Sequence, residues 1–150
     1  MNILFICTGN TCRSPMAEAL FNKLDILDNI AYSAGLSTCP NSTLSLNAGL
    51  ALKAAMDIDI TDRKALQLTD KNIEEADLVL TMTNYMKEIL IRNFHTSKNK
   101  VYSLNEYVGV KGDIMDPYGS SLITYFKTLE VLKNRILLLF KKLKQDICII

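Results

Sequence analysis

Several features that mark large protein classes are missing from this sequence. No apolar run approaches the length of a membrane span, and the N-terminus reads as a short strand with a polar turn instead of a secretory signal. The 150 residues carry a net charge of only +1 and no basic arm, which argues against general binding to nucleic acid. We therefore expect neither a membrane nor a nucleic acid as partner.

Cysteine and histidine are also scarce. The four cysteines, Cys7, Cys12, Cys39 and Cys148, lack the spacing of a disulfide framework, and His95 is the only histidine. This pattern predicts a reducing, cytoplasmic compartment, no metal centre and no other cofactor. Cys39 and Cys148 are interpreted as bystanders.

No repeat, low-complexity stretch or boundary divides the chain, so we expect one domain over residues 1–150, acting as a monomer. Apolar residues make up 49% and charged residues 22%, a composition typical of globular proteins. Short apolar segments alternate with helical patterns, which favours an α/β fold with a parallel sheet covered on both faces. The predicted strands are 2–6, 30–33, 78–82 and 100–104, and the predicted helices are 13–27, 45–56, 84–91 and about 120–144.

The most informative segment follows the first predicted strand and reads Cys-Thr-Gly-Asn-Thr-Cys-Arg-Ser-Pro over residues 7–15. Gly9 and Asn10 tolerate the positive φ of a tight turn, and Pro15 suits the first turn of the helix that begins at Arg13. The amide groups of such a turn converge at a helix N-terminus and form an anion site, which favours a Cys7 thiolate. Arg13 can hold two phosphoryl oxygens with its fork of N–H donors. The predicted phosphate-binding residues are Thr8, Gly9, Asn10, Thr11, Cys12, Arg13 and Ser14.

A cysteine at the end of a core strand is by default an inert small hydrophobe. Here the spacing from Cys7 to Arg13, the Gly-Asn turn and the strand-to-helix context occur together. In combination they favour a reactive Cys7 over an inert one. Neither G-x-x-x-x-G-K-[ST] nor G-x-G-x-x-G is present, so the common nucleotide-binding loops are excluded. Transfer of a phosphoryl group to Cys7 fits the segment, and nucleotide binding does not.

A cysteine nucleophile needs an acid that protonates the leaving atom and can later activate water. Asp116 is the candidate, because the following Pro117 restricts the backbone on both sides of the peptide bond. The sequence Asp-Pro-Tyr-Gly taken alone is a generic turn. Asp113 lies nearby but lacks a following proline, and we interpret it as structural.

Residues 7–15, together with Asp116-Pro117-Tyr118, resemble the low-molecular-weight protein tyrosine phosphatases. The resemblance extends over the whole chain and includes Ser33-Ala34-Gly35 and residues 76–83. It implies a three-layer α/β/α fold with a four-stranded parallel sheet in the order 2-1-3-4. The site roles that it implies are nucleophile for Cys7, phosphate binding for Arg13, general acid and base for Asp116, a hydrogen bond to the thiolate for Ser14 and bracing of the loop for Asn10.

Two departures from that family make the chain similar to its branch of protein arginine phosphatases. Thr11 stands where the tyrosine phosphatases usually carry a larger aliphatic residue, and Gly119 where they often have a second aromatic one. A threonine hydroxyl can accept from a guanidinium N–H of the substrate, whereas isoleucine offers only apolar contact. A buried guanidinium donor left without an acceptor would cost about 1–3 kcal/mol. Tyr118, where that branch often has phenylalanine, is the second specificity residue and leaves room for tyrosine phosphatase activity. The alternative for Thr11 is a residue that merely fits the loop.

The family resemblance also implies a redox role for two loop cysteines. A cysteine close to the nucleophile can trap the oxidised nucleophile as a disulfide, and Cys12 matches that position relative to Cys7. The alternative for Cys12 is a buried residue that only fills space.

These residues predict a cysteine-dependent protein phosphatase that hydrolyses phosphoarginine in proteins through a cysteinyl phosphate. Phosphotyrosine hydrolysis by the same mechanism is the alternative. An arsenate reductase would need further redox cysteines, and none lies between Cys39 and Cys148. A phosphoprotein-binding module or a phosphocarrier of sugar transport would have no use for Asp116.

Overall fold

A parallel sheet of four strands organises the part of the chain that the computed structural model describes, residues 1–25 and 28–147. The strands are β1 Asn2–Cys7, β2 Ile30–Gly35, β3 Leu78–Thr81 and β4 Val101–Ser103. Their order is β2-β1-β3-β4 and all neighbours are parallel, which confirms the predicted fold class and topology. Since β1 is a central strand, its C-terminal residue Cys7 lies at the carboxyl edge of the sheet, where ligands bind in such folds.

The helices cover both faces of the sheet. They are α1 Arg13–Leu24, α2 Leu46–Met56, α3 Asp70–Glu75, α4 Asn84–Asn93, α5 Leu104–Tyr107 and α6 Leu122–Ile147, with a 3-10 helix at His95–Lys100. Ile3 and Phe5 of β1 pack in one core with residues of α1, α2 and α6, whereas Leu4 and Ile6 pack in a second core with residues of α3 and α4. Both faces of β1 are therefore buried, which explains its unbroken apolar run.

The sequence predicted all four strands and the long helices, and it missed the short helices. The helix predicted at about 120–144 is confirmed as α6, and one side of it packs in the core with the buried residues Tyr125, Leu129, Leu132, Ile136, Leu139 and Leu143. Helix α1 ends at Leu24, three residues before the predicted end, because the backbone of Asp25 is extended; Leu27 lies outside the described residues. Helices α3 and α5 have only six and four residues, too few for an apolar period, and each is instead stabilised by a capping box. Among the helices of the described residues, none combines the length and the apolar character that crossing a bilayer requires.

Strand β2 holds the turn that follows Cys7. Gly35 pairs with Cys7, the amide of Leu36 donates to the Cys7 carbonyl at 3.0 Å, and the amide of Ser37 donates to the Thr8 carbonyl at 2.9 Å. A Cβ atom on Gly35 would lie 2.7 Å from the Thr8 carbonyl oxygen and 3.0 Å from the Asn10 nitrogen. Because both of these neighbours are backbone atoms, only glycine allows the turn to approach the sheet this closely.

Replacement of Gly35 by alanine tests this close approach. We expect Gly35→Ala to destabilise the protein by about 1–3 kcal/mol, since the turn after Cys7 must move away to admit the methyl group. Thermal or urea unfolding measures the effect. The matched control is Gly49→Ala in α2, where the nearest atoms to the new Cβ would be 3.5 and 3.6 Å away. That control should leave the protein as stable as before or more stable, by up to about 1 kcal/mol, because alanine favours helix. Equal effects of the two changes would contradict the role given to Gly35.

Candidate active site

The sulfur of Cys7 lies beneath the turn that connects β1 to α1. It accepts a hydrogen bond from the Asn10 amide at 3.3 Å and lies 3.0 Å from the Ser14 hydroxyl oxygen, and Cys7 itself is only 3% exposed. Asn10 adopts the left-handed conformation expected for this turn, with φ of 55°. No side chain caps the N-terminus of α1, so its first amide groups stay available to an anion.

The hydrogen bonds of the buried side-chain amide of Asn10 fix which way its oxygen and its nitrogen point. Its oxygen accepts from the Arg63 guanidinium at 3.0 Å and from the Leu66 amide at 2.8 Å, two groups that can only donate. Its nitrogen must therefore face the hydroxyl oxygens of Ser14 and Ser33, at 2.9 and 2.8 Å. Since Ser14 accepts from Asn10, its own proton is free to point at the Cys7 sulfur. A hydroxyl that donates to the sulfur stabilises the thiolate.

An ion pair behind the loop completes this network. The Arg63 guanidinium lies 2.8 Å from a Glu18 carboxylate oxygen, and that oxygen also accepts from the Ser33 hydroxyl at 2.7 Å. The Ser33 oxygen in turn accepts from Arg63 at 2.9 Å. Glu18 and Arg63 were missed in the sequence: Glu18 stands one helical turn after Ser14, which is a weak signal, and nothing near Arg63 points to the loop.

Arg13 is a buried cation of the candidate site. It is 4% exposed, its Nη1 donates to the Ile114 carbonyl at 3.0 Å, and its Nη2 forms an ion pair with an Asp116 carboxylate oxygen at 2.9 Å. Among the described residues its Nε is a buried side-chain donor without a partner. Arg13 thus joins the phosphate loop to the segment around Asp116 and still presents one unsatisfied donor.

The two candidate carboxylates occupy different environments. The Asp116 side chain is half exposed, and its second oxygen accepts from the Tyr118 amide at 3.2 Å. Asp113 instead accepts from the Asn84 amide at 2.8 Å, at the start of α4. This contact is the one expected of a structural residue.

A cavity of about 400 Å³ opens above the sulfur of Cys7. It brings together most of the predicted site residues, and Asn10 and Ser14 act from behind the loop through the hydrogen bonds given above. The residues that line it are Cys7, Thr8, Gly9, Thr11, Cys12, Arg13, Ser37, Cys39, Ser42, Asp116 and Tyr118. Cys39 has an exposed side chain that forms part of the cavity wall, and its interpretation as a bystander stays a prediction. Cys148 lies outside the described residues. Within the parts of the chain that are described, no three acidic, cysteine or histidine side chains are arranged to hold a metal ion.

Cys12 has a setting distinct from that of Cys7. Its thiol donates to the Ser45 hydroxyl oxygen at 3.3 Å, and its sulfur lies 3.2 Å from the Tyr125 hydroxyl. Burial, and then the contact with Cys12, raises the pKa of Tyr125 to about 12, so this phenol stays protonated. Cys7 and Cys12 are both free thiols here, and the disulfide between them stays a prediction. Its formation would require Cys12 to leave Ser45 and Tyr125.

Comparison with known proteins agrees with this geometry. The sequence model of a family described as low molecular weight phosphotyrosine protein phosphatase matches residues 2–148. A protein-arginine-phosphatase of Bacillus subtilis is 40% identical, over 97% of this chain and 99% of that protein. The low molecular weight protein-tyrosine-phosphatase PtpB of Staphylococcus haemolyticus is 38% identical, over 88% of this chain and 92% of that protein. The solved structure of the YwlE arginine phosphatase from Geobacillus stearothermophilus is 36% identical with a TM-score of 0.90, over 97% of this chain and 94% of that one.

Removal of Arg63 tests the network behind the loop. Arg63→Met should lower the free energy of unfolding by about 1–3 kcal/mol, because it removes the cation that pairs with Glu18 and one of the two donors to the Asn10 oxygen in a largely buried setting. The variant should also bind inorganic phosphate more weakly. Urea unfolding and phosphate titration measure the two effects. The control is Lys53→Met, which removes the exposed ion pair between Lys53 and Asp57 at 2.6 Å and should leave both quantities unchanged. Unchanged phosphate binding in Arg63→Met would show that the network does not shape the loop.

Proposed function

The chain belongs to the low molecular weight phosphotyrosine protein phosphatase family, and on this basis we propose that it hydrolyses phosphoarginine in proteins through a phosphorylated Cys7. The family and the relatives make it a protein arginine/tyrosine phosphatase. The observation that carries the proposal is the buried Nε of Arg13, a donor without a partner among the described residues, on a side chain that lines the same cavity as the Cys7 sulfur.

The free donor of Arg13 indicates what the cavity is built to bind. A buried N–H group without an acceptor costs about 1–3 kcal/mol, so such groups are rare unless a ligand satisfies them. A phosphoryl group seated over Cys7 would offer one oxygen to Nε and a second to Nη2, which is the paired geometry that guanidinium groups prefer. That second bond would displace the Asp116 carboxylate from Nη2, and Asp116 would then be free to face the leaving group.

The proposed reaction has two steps, both in-line displacements at phosphorus. The Cys7 thiolate attacks, the S–P bond forms and the P–N bond breaks, while Asp116 gives its proton to the departing guanidine nitrogen. The loop amides and Arg13 stabilise the charge on the three phosphoryl oxygens. Water that loses a proton to Asp116 then attacks phosphorus, the S–P bond breaks and Cys7 leaves as a thiolate that Ser14 stabilises.

Thr11 supports phosphoarginine as the substrate. Its side chain lines the cavity, and its partly buried hydroxyl oxygen can accept from a guanidinium N–H of the substrate. The small polar residues Ser37 and Ser42 on the cavity wall suit the same group. The arginine phosphatases among the relatives point in the same direction.

Phosphotyrosine is the second candidate substrate. The Tyr118 ring lines the cavity and is 74% exposed, so it can pack against an aromatic ring of the substrate. A relative that is almost as similar as the arginine phosphatase is named a tyrosine phosphatase.

We further propose that the protein is a monomer in a reducing cytoplasm. There Cys7 and Cys12 stay reduced, and they form a reversible disulfide when peroxide oxidises Cys7.

Replacement of the two reacting groups tests the mechanism. Cys7→Ser should abolish turnover of a phosphoarginine peptide, because a serine hydroxyl is a much weaker nucleophile than a thiolate and a phosphoserine is hydrolysed far more slowly than a cysteinyl phosphate. Asp116→Asn should lower kcat/KM by about 10²–10⁴-fold, the usual contribution of general acid catalysis. Steady-state kinetics under reducing conditions measures both. Retained turnover in Cys7→Ser would contradict the cysteinyl phosphate.

Replacement of Thr11 tests the substrate preference. The measurement is kcat/KM on phosphoarginine and phosphotyrosine peptides of matched sequence. Thr11→Ile should shift the ratio toward phosphotyrosine by about 10-fold, since the hydrogen bond to the guanidinium is lost. The control Thr11→Ser keeps the hydroxyl and should keep the ratio near that of the original protein. A ratio that is the same in all three proteins would mean that Thr11 only fits the loop.

A further inference from the structure

The segment that carries Asp116 has little regular structure of its own. Residues 108–121 between α5 and α6 contain neither helix nor strand, and Met115 is 80% exposed. Gly109 and Gly112 adopt left-handed φ values of 76° and 81°. Apart from the buried side chains of Ile114 and Pro117, this segment takes its position from hydrogen bonds to its surroundings.

The buried Asn105 of α5 provides two of these hydrogen bonds. Asn105 is 3% exposed, its side-chain nitrogen donates to the Gly112 carbonyl at 2.8 Å, and its backbone carbonyl accepts from the Val110 amide at 2.8 Å. The chain from α5 to Gly112 is thereby closed on itself, four residues before Asp116.

Arg135 of α6 determines which way the Asn105 amide points. Its Nε donates to the Asn105 side-chain oxygen at 2.9 Å. Because a guanidinium group can only donate, the oxygen must face Arg135 and the nitrogen must face Gly112. A residue in the long C-terminal helix thus controls a hydrogen bond of the segment that holds the carboxylate.

Three further contacts extend this support toward Asp116. Asp113 accepts from the Asn84 amide at 2.8 Å, the Ile114 amide donates to the Met82 carbonyl at 2.9 Å, and the Ile114 carbonyl accepts from Arg13 at 3.0 Å. The Gly112 and Ile114 backbone, the Asp113 carboxylate and the buried Ile114 side chain thus hold residues 112–114, and the next two residues are exposed. The orientation of Asp116 therefore depends on where residues 112–114 are held.

We propose that Asn105 and Arg135 are positioning residues for proton transfer by Asp116, an inference that rests on the function proposed above. Neither side chain is among those that line the cavity. Both act through the backbone of residues 112–114, so their loss should misplace the Asp116 carboxylate and leave the Cys7 loop intact.

A series of leaving groups distinguishes this role from a general loss of stability. Phosphate esters of strongly acidic phenols expel their leaving group without a proton, whereas phosphoarginine and esters of weakly acidic phenols need one. Asn105→Ala and Arg135→Met should lower kcat/KM for phosphoarginine and for esters of weakly acidic phenols by about 10-fold or more. Esters of strongly acidic phenols should react at an unchanged kcat/KM, and the inhibition constant of inorganic phosphate should stay the same.

The chain offers a matched control at the same helix junction. Lys142 of α6 donates to the Tyr107 carbonyl of α5 at 2.7 Å and lies 4.3 Å above the Tyr107 ring, yet these contacts do not involve residues 112–114. Lys142→Met should lower thermal stability and leave the dependence on the leaving group unchanged. Arg135→Lys, which keeps a donor, should partly restore the dependence seen in the original protein.

The outcomes separate the inference from the proposed function. An equal loss of kcat/KM for all leaving groups in Asn105→Ala and Arg135→Met, or no loss for any, would overturn the positioning role. If Asn105→Ala does not fold, Arg135→Met carries the test, because it leaves the Asn105 side chain in place. If Asp116→Asn itself shows no dependence on the leaving group, the proposed function is wrong instead, because Asp116 is then not the acid.

Discussion

The amide side chain of Asn10 is the constraint on which the rest of the candidate site depends. It is fully buried, its residue adopts a left-handed backbone, and it makes four hydrogen bonds within the loop and its surroundings. A permanent cation, Arg63, sets its orientation, and that orientation decides that Ser14 directs its proton to the Cys7 sulfur. The donor that faces the Cys7 sulfur is thus fixed by a series of hydrogen bonds that begins 53 residues further along the sequence.

A second constraint is that one guanidinium joins the two halves of the site. Cys7, the candidate nucleophile, is the last residue of β1, and the Asp116 carboxylate lies on the segment before α6, more than a hundred residues later. The Arg13 guanidinium contacts the Ile114 carbonyl through Nη1 and the Asp116 carboxylate through Nη2. Its Nε has no partner among the described residues. One guanidinium therefore links the Cys7 loop to the Asp116 segment and still has a donor to offer a ligand in the cavity.

Much of this could be read in the sequence because the signals are local. The Cys7 loop combines a buried strand, a Gly-Asn turn and a helix start within about a dozen residues, and Asp116 is marked by the proline that follows it. The strands and long helices are read from period and length, which backbone geometry imposes directly. The short helices α3 and α5 were not predicted because they are too short for an apolar period and are stabilised by capping boxes.

The sequence by itself determined the fold class and, through the family resemblance, the strand order. It also predicted Cys7 as nucleophile, Arg13 as the phosphate-binding residue and Asp116 as acid, because each of these three predictions depends on neighbours within one turn or one strand. Only the tertiary structure decided which way the hydrogen bonds run. Glu18, Ser33 and Arg63 come from α1, β2 and the chain after α2, and Asn105 and Arg135 come from α5 and α6. Their roles arise because side chains that can only donate hydrogen bonds lie next to buried acceptors from distant parts of the chain. No sequence pattern predicts such contacts, because hydrogen bonds form through space over about 3 Å.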